Sequence, residues 1–342
     1  MTAWTDHLAL EGAKLDTLSV SFADARSDAA ALERGTVVVP LLHLGLIRSV
    51  GPDSTTFLHN LFSNDVAKLP ADGAQWSSFN SPKGRMLASL LLWPEAEGHA
   101  LVMAADILPA MLKKLSMYVL RSKVKLNDAG ETTVLIGVAG GDAAAVLQGA
   151  GLPVPAAPMQ QASAAAGRVV RVGEQAFVLA IDSAAASSVF TALVAAGAHK
   201  AGTAAWQLAM IRAGVPLITA PTQEEFVAQM LNYDLIGGVN FKKGCYPGQE
   251  IVARTQYLGT VKKRLYRVAL DADSVPTPGS DLYAPDFGEQ SAGKVVNVAP
   301  SPEGGYEALA VLQNTSVEGG QLRYGSPAGA PVRVLDLPYP LP

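Results

Sequence analysis

Phe241-Lys242-Lys243-Gly244-Cys245-Tyr246-Pro247-Gly248-Gln249-Glu250-Ile251-Val252-Ala253-Arg254 holds the single cysteine of this 342-residue chain. Two lysines and a glycine precede that cysteine, and a Pro-Gly step follows it closely. Proline is favoured at the first position of a helix, where its missing N–H costs nothing. The spacing therefore predicts a helix opened by Pro247 and running through Arg254. Glu250 and Arg254 stand four apart and can pair on one helical face. Cys245 would then lie just before a helix N-terminus and beside two ammonium groups, and both features favour the thiolate. Gly244 and Gly248 let the backbone pass close to another group. The alternative is an inert cysteine buried in a turn, because free cysteine often behaves as a small core residue.

Composition sets the frame around this stretch. Hydrophobic residues make up 49% of the chain and charged residues 16%, which is ample for sizeable cores and argues against disorder. The length implies two or three domains. A net charge of −4 gives no global attraction to nucleic acid, so no direct nucleic-acid partner is expected. The basic clusters Lys262-Lys263-Arg264 and Lys123 with Lys125 read as solvated faces. One cysteine excludes an intrachain disulfide framework, a cysteine-only metal cage and a four-cysteine iron–sulfur site within one chain. The five histidines, His7, His43, His59, His99 and His199, show no ligand spacing, so no metal site is expected. The N-terminus lacks a basic region followed by an apolar run, and residues 37–44 are too short a run to span a bilayer. The chain is expected to be soluble and cytoplasmic, with no membrane partner.

Along the chain, residues 1–34 read as a polar lead-in. Residues 37–50 read as strands, and Asp53 as the N-cap of a helix over 54–62. A hairpin is predicted from 76–80 and 85–93 around Ser81-Pro82-Lys83-Gly84, with Pro and Gly at the second and fourth turn positions. Its second strand is apolar on both faces and should be central. Residues 107–118 have helical spacing. From 132 to 201 the chain turns rich in Ala and Gly, with strands over 134–138, 168–172 and 176–181 and helices over 143–147 and 183–196. Helices are predicted over 203–212 and 223–233. Beyond Gly259, short strands with frequent Gly and Pro indicate a separate β-barrel or jelly-roll-like domain. Residues 337–342 read as an extended Pro-rich tail.

Lys243-Gly244-Cys245-Tyr246-Pro247-Gly248-Gln249-Glu250 resembles the signature of the YgfZ family, K-G-C-Y-x-G-Q-E, at every fixed position. Three further blocks are similar to that family: Leu61-Phe62-Ser63-Asn64-Asp65-Val66, Asn80-Ser81-Pro82-Lys83-Gly84-Arg85 and Tyr118-Val119-Leu120-Arg121-Ser122-Lys123-Val124. The resemblance implies the α+β fold of the glycine-cleavage T-protein, an aminomethyltransferase. In that fold three domains form a ring around a central folate cleft. Here they would be a folate-binding core of residues 1–130 plus 202–258, an inserted ferredoxin-like α+β lobe of 131–201, and a C-terminal β-barrel of 259–342.

The resemblance further implies a cofactor, tetrahydrofolate, and partners, iron–sulfur client proteins that include tRNA-modifying enzymes. Cys245 would be the reactive residue, within a signature made of Lys243, Gly244, Tyr246, Gly248, Gln249, Glu250 and Arg254. A pterin needs an apolar wall and a few hydrogen-bond partners. Phe62, Phe79 and Tyr118 are the wall candidates, and Asn64 and Asp65 are polar candidates. The glutamate tail needs Lys or Arg, for which Lys83, Arg85 and Arg121 are the candidates.

One departure separates the chain from T-proteins, whose hairpin after the glycine step carries an aspartate pair. Residues 84–93 here hold no carboxylate. Lacking a positioned acid or base removes a contribution of about 10²–10⁴-fold to proton transfer. Three functions stay open on sequence: a folate-binding protein supporting iron–sulfur enzymes through Cys245, an aminomethyltransferase of the T-protein type, and an interaction module that needs neither folate nor thiol. The last predicts a buried, replaceable Cys245.

Overall fold

The computed structural model describes residues 2–271 and 275–342. Two compact units divide the chain. The first comprises Met1–Phe57, Lys68–Gln75 and Leu91–Ala209, and the second Leu58–Ala67, Trp76–Leu90 and Met210–Pro342.

The first unit is organised by the strand Thr133–Ala139, which is buried at every position. Its continuous Val/Leu/Ile character suits a strand covered on both faces. Ala176–Asp182 and Val37–Pro40 flank it antiparallel, with Leu179 opposite Ile136 and Val38 opposite Val138. Gly167–Gly173 and Gln160–Ala164 extend the sheet on one side, and His199–Lys200 adds a parallel edge beside Val37–Pro40. Strands from residues 131–201 thus share one sheet with a strand from the N-terminal segment. The helices Ala3–Leu10, Ala143–Gly149 and Ala186–Ala195 send Trp4, Leu8, Leu147, Phe190 and Leu193 into a core with Phe177 and Leu179. Gly137 leaves room for the Trp206 ring, whose Cε3 would stand 2.4 Å from a Cβ there. A second antiparallel arrangement places Leu44–Val50 between Gly98–Ala104 and Lys125–Asp128.

One expectation changes in this unit. The lead-in of residues 1–34 contains the helices Ala3–Leu10 and Ala25–Arg34. Thr2 caps the first in a capping box with Thr5, and the Asp24 carboxylate accepts the N–H groups of Arg26 and Ser27 at the second. Asp53 holds the expected N-cap position, its C=O accepting the Phe57 N–H at 2.9 Å, while its carboxylate accepts the Lys123 N–H at 2.7 Å. The carboxylate closes the turn from 118 to 124 onto its own loop.

The second unit contains a closed barrel ordered Lys263–Leu270, Tyr306–Gln313, Gly293–Pro300, Asp281–Tyr283, Leu322–Tyr324, Ala330–Leu335. Ala330–Leu335 returns to pair with Lys263–Leu270, so no strand edge is left open. Val268, Leu270, Val295, Ala308, Ala310 and Leu312 fill it. They come from alternating positions because side chains alternate across a strand. The predicted hairpin is also present. Residues 76–80 lead into a turn in which Gly84 N–H donates to Ser81 O at 2.9 Å, and Ser81 N–H to Arg85 O at 2.8 Å. The strand that follows, Met86–Glu95, is buried on both faces over its first eight residues.

Two further corrections belong to this unit. Residues 223–233 form no α-helix, only the 3₁₀ turn Ala228–Leu231. Their backbone groups bond sideways instead, with Met86 N–H donating to Phe226 O and Glu224 N–H to Met86 O. Arg264, read as part of a solvated cluster, is buried, 2.7 Å from Asp234 and donating to Gln229 O. The Pro-rich end carries no regular element, yet Tyr339 ties it down by donating to Gly214 O at 2.7 Å. No helix among the described residues is long and apolar enough to cross a membrane.

Candidate functional site

The signature segment lies wholly in the second unit. Its helix runs over Gln249–Tyr257, with Gly248 as N-cap at φ 77° and Pro247 just outside. Proline therefore precedes the cap rather than opening the helix. A left-handed cap at Gly248 shifts the start, because only glycine adopts that conformation cheaply. Glu250 and Arg254 are both exposed, with no ion pair between them among the described residues.

Cys245 is exposed, whereas its neighbours Lys243 and Tyr246 are buried. The Lys243 ammonium donates to the carbonyls of His59 and Phe62. These carbonyls close the helix Ser54–Leu61, where a cation meets the negative end of the helix dipole. The ammonium also lies 4.9 Å from the centre of the Tyr246 ring, a cation–π contact. Burial pushes Lys243 down to about 8, against an upward pull from Asp65. These contacts give Lys243 an anchoring role. It pins the loop that presents Cys245.

That anchoring has a pH signature. The unfolded chain holds the Lys243 proton to about 10.5, the folded chain to about 8. Between these values the unfolded state binds more protons, so stability rises with pH across the window. Urea unfolding should show this rise in the native protein, and Lys243→Met should flatten it. Identical pH profiles for the two proteins would contradict a buried ammonium at this position.

The turn Ser81–Gly84 meets the signature directly. A Cβ on Gly248 would stand 2.5 Å from both Gly84 Cα and Ser81 O. Two blocks far apart in sequence therefore touch backbone to backbone at a pair of glycines. Behind the turn, Asn80 is almost fully buried, and neither atom of its amide finds a hydrogen-bond partner among the described residues. The buried hydroxyls of Ser78 and Ser81 are likewise without partners.

The remaining candidates divide by place. Phe62 and Phe79, expected as cleft walls, are fully buried and pack edge to face at 6.1 Å. They are core residues, bridged by a β-pair. Asn64 donates to Trp76 O at 2.8 Å and Gly237 O at 2.7 Å while accepting the Asp65 N–H, so its amide is committed to the local turn. Asp65 is buried, 3.2 Å from His59 Nδ1. Lys83 is exposed, as is Arg85, whose guanidinium donates to Glu225 O. Tyr118 and Arg121 belong to the first unit, exposed on the turn that follows the helix Leu108–Ser116. Gln249 opens the signature helix and is half-buried. Asn80 sits in a block quoted from sequence, but only its burial without partners marks it. His59 had no sequence signal beyond its type.

Comparison with known proteins fits this arrangement. Residues 17–241 match the GCVT N-terminal domain family, a match that ends where the signature segment begins. The glycine cleavage system aminomethyltransferase T from Bartonella henselae superposes with a TM-score of 0.80 at 19% identity, over 99% of this chain and 97% of that one. The molecule is therefore a GCVT-domain protein with the T-protein fold. The tRNA-modifying protein YgfZ of Cronobacter sakazakii is 30% identical over 92% of this chain and 97% of its own length. The tRNA-modifying protein YgfZ of Yersinia enterocolitica is 31% identical over 86% and 90%. The chain belongs to the YgfZ family.

Proposed function

We propose that this protein binds tetrahydrofolate and uses Cys245 to support the assembly or repair of iron–sulfur enzymes, including those that modify tRNA. The observation that carries this reading is the exposed thiol between buried flanks. A cysteine kept for packing would be the buried member of the loop. Here Lys243 and Tyr246 are buried and the sulfur faces solvent. An exposed thiol can exchange with a disulfide or ligate a cluster iron for a time. One cysteine supplies one ligand, so a cluster's other ligands come from the client or a small thiol. The relatives' naming as tRNA-modifying proteins fits clients of that kind.

Folate is supported by the polar groups behind the turn. Buried polar groups are normally satisfied, yet Asn80, Ser78 and Ser81 have free donors and acceptors. The donor and acceptor edge of a pterin has matching chemistry, and reaching it requires the turn Ser81–Gly84 to move, because these atoms have no open surface. Lys83 and Arg85 on the same turn would take the carboxylates of the glutamate tail. Tetrahydrofolate, when bound, supplies one-carbon and redox chemistry. The chain's own part is to hold the ligand and to present the thiol and its proton at Cys245 Sγ. The strand Met86–Glu95 bears no carboxylate before its last residue, which weighs against aminomethyl transfer.

Anaerobic calorimetric titration with tetrahydrofolate tests the proposal. Saturable binding is expected, and Lys83→Ala should weaken it. A hydrogen bond to a charged group is worth roughly 1.5–3 kcal/mol, or about ten- to a hundredfold in affinity. Absence of binding at millimolar folate would favour the interaction-module reading. Transfer of a one-carbon unit from an aminomethyl donor at an enzyme-like rate would favour the transferase.

A further inference from the structure

The signature helix Gln249–Tyr257 buries one residue, Val252. Ile251, Tyr257 and the C-cap residue Leu258 are exposed at 38%, 66% and 86%. At 3.6 residues per turn, Ile251 and Leu258 fall on one face with Arg254 between them, and Tyr257 borders it. Val252 points elsewhere. Phe241 packs its ring edge to face on Tyr257 at 6.1 Å, so the loop carrying Cys245 and the end of the helix join in one apolar surface. Ile251 is partly covered by the Gly84 turn, but a surface helix ordinarily hides its apolar residues, and this one leaves Tyr257 and Leu258 open to solvent. Exposed apolar patches rimmed by polar residues mark interaction sites.

The charges around the patch choose the partner. Lys242, Arg254 and Lys262 are exposed on or next to it, against Glu250 alone, in a chain whose net charge is −4. We propose that this face docks the client protein on which Cys245 acts, through an apolar patch on the client ringed by carboxylates. The inference rests on the functional reading above and names the partner of the same site. Ile251 and Leu258 favour protein over RNA. Aliphatic side chains offer a base nothing to stack on, whereas Tyr and Arg amid apolar contacts are the usual anchors of protein interfaces.

Binding of a purified, cluster-loaded [4Fe–4S] tRNA-modifying enzyme to the full chain, measured at low and physiological salt, is the test. Wild type should bind saturably and more weakly as salt rises. The double variant Tyr257→Ser, Leu258→Ser should bind at least tenfold more weakly, with its melting temperature and folate affinity unchanged. Lys262→Glu should weaken binding and flatten its salt dependence. Cys245→Ser should dock as wild type does. Unchanged docking by the double variant, or no saturable docking by wild type, overturns the inference. So does total tRNA binding that the same substitutions abolish while the enzyme fails to bind, which would assign the face to RNA. Absent folate binding together with a harmless Cys245→Ser would defeat the functional reading and leave docking to be judged on its own.

Discussion

Cys245→Ser is expected to abolish support of iron–sulfur tRNA-modifying enzymes while leaving the fold and tetrahydrofolate affinity intact. The side chain is exposed, and the exchange of sulfur for oxygen hardly changes volume. Surface substitutions away from special features stay within about 0.5 kcal/mol, so the melting temperature should hold. What is lost is the only soft nucleophile and thiolate ligand in the chain. Levels of iron–sulfur-dependent tRNA modifications, measured by mass spectrometry in cells that depend on the variant, should fall to those of cells without the protein. If the variant melts early and shows no selective loss, the cysteine is structural. If the modifications persist with a stable fold, the thiol is dispensable and the interaction-module reading stands.

Gly248→Ala should have the largest effect on the fold. Gly248 holds φ 77°, a conformation that costs an alanine about 1–2 kcal/mol. The added Cβ would also stand 2.5 Å from Gly84 Cα and Ser81 O. Both are backbone atoms of a tight turn, so neither can swing aside as a flexible side chain would. Overpacking typically costs about 1–3 kcal/mol, and the two effects act on one residue. Together they should lower the melting temperature by roughly 5–15 °C and detach the signature helix from the turn. Unlike Cys245→Ser, this variant should lose stability, folate binding and client support together. A variant with native melting behaviour would mean that the two glycines do not meet.

Some of the site was readable before any coordinates, and some was not, for identifiable reasons. The hairpin around Ser81–Gly84 was legible because Pro and Gly at fixed turn positions set the backbone locally. So were the strands at Thr133–Ala139 and Ala176–Asp182 and the helix Thr203–Arg212, whose periodicity needs no distant partner. The stretch 223–233 misled because Gln-Glu-Glu starts helices locally, whereas its backbone pairs with Met86, more than a hundred positions away in sequence. Phe62 and Phe79 misled in the opposite sense. An aromatic residue suits a ligand wall and a core equally, and only burial tells the two apart.

By itself the sequence determined the family signature, the lone thiol, the missing carboxylates after Gly84 and the strand-rich character of the C-terminal region. Each is a matter of residue type at a given spacing. The tertiary structure alone decided that Lys243 reaches the carbonyls of His59 and Phe62, that Gly248 rests on Gly84, and that Asn80 is buried without a partner among the described residues. It also decided that Cys245 is exposed while Lys243 and Tyr246 are buried. These outcomes depend on which atoms fill the space around a side chain. In this protein those atoms come from segments that are distant in sequence, and no local rule of spacing specifies them.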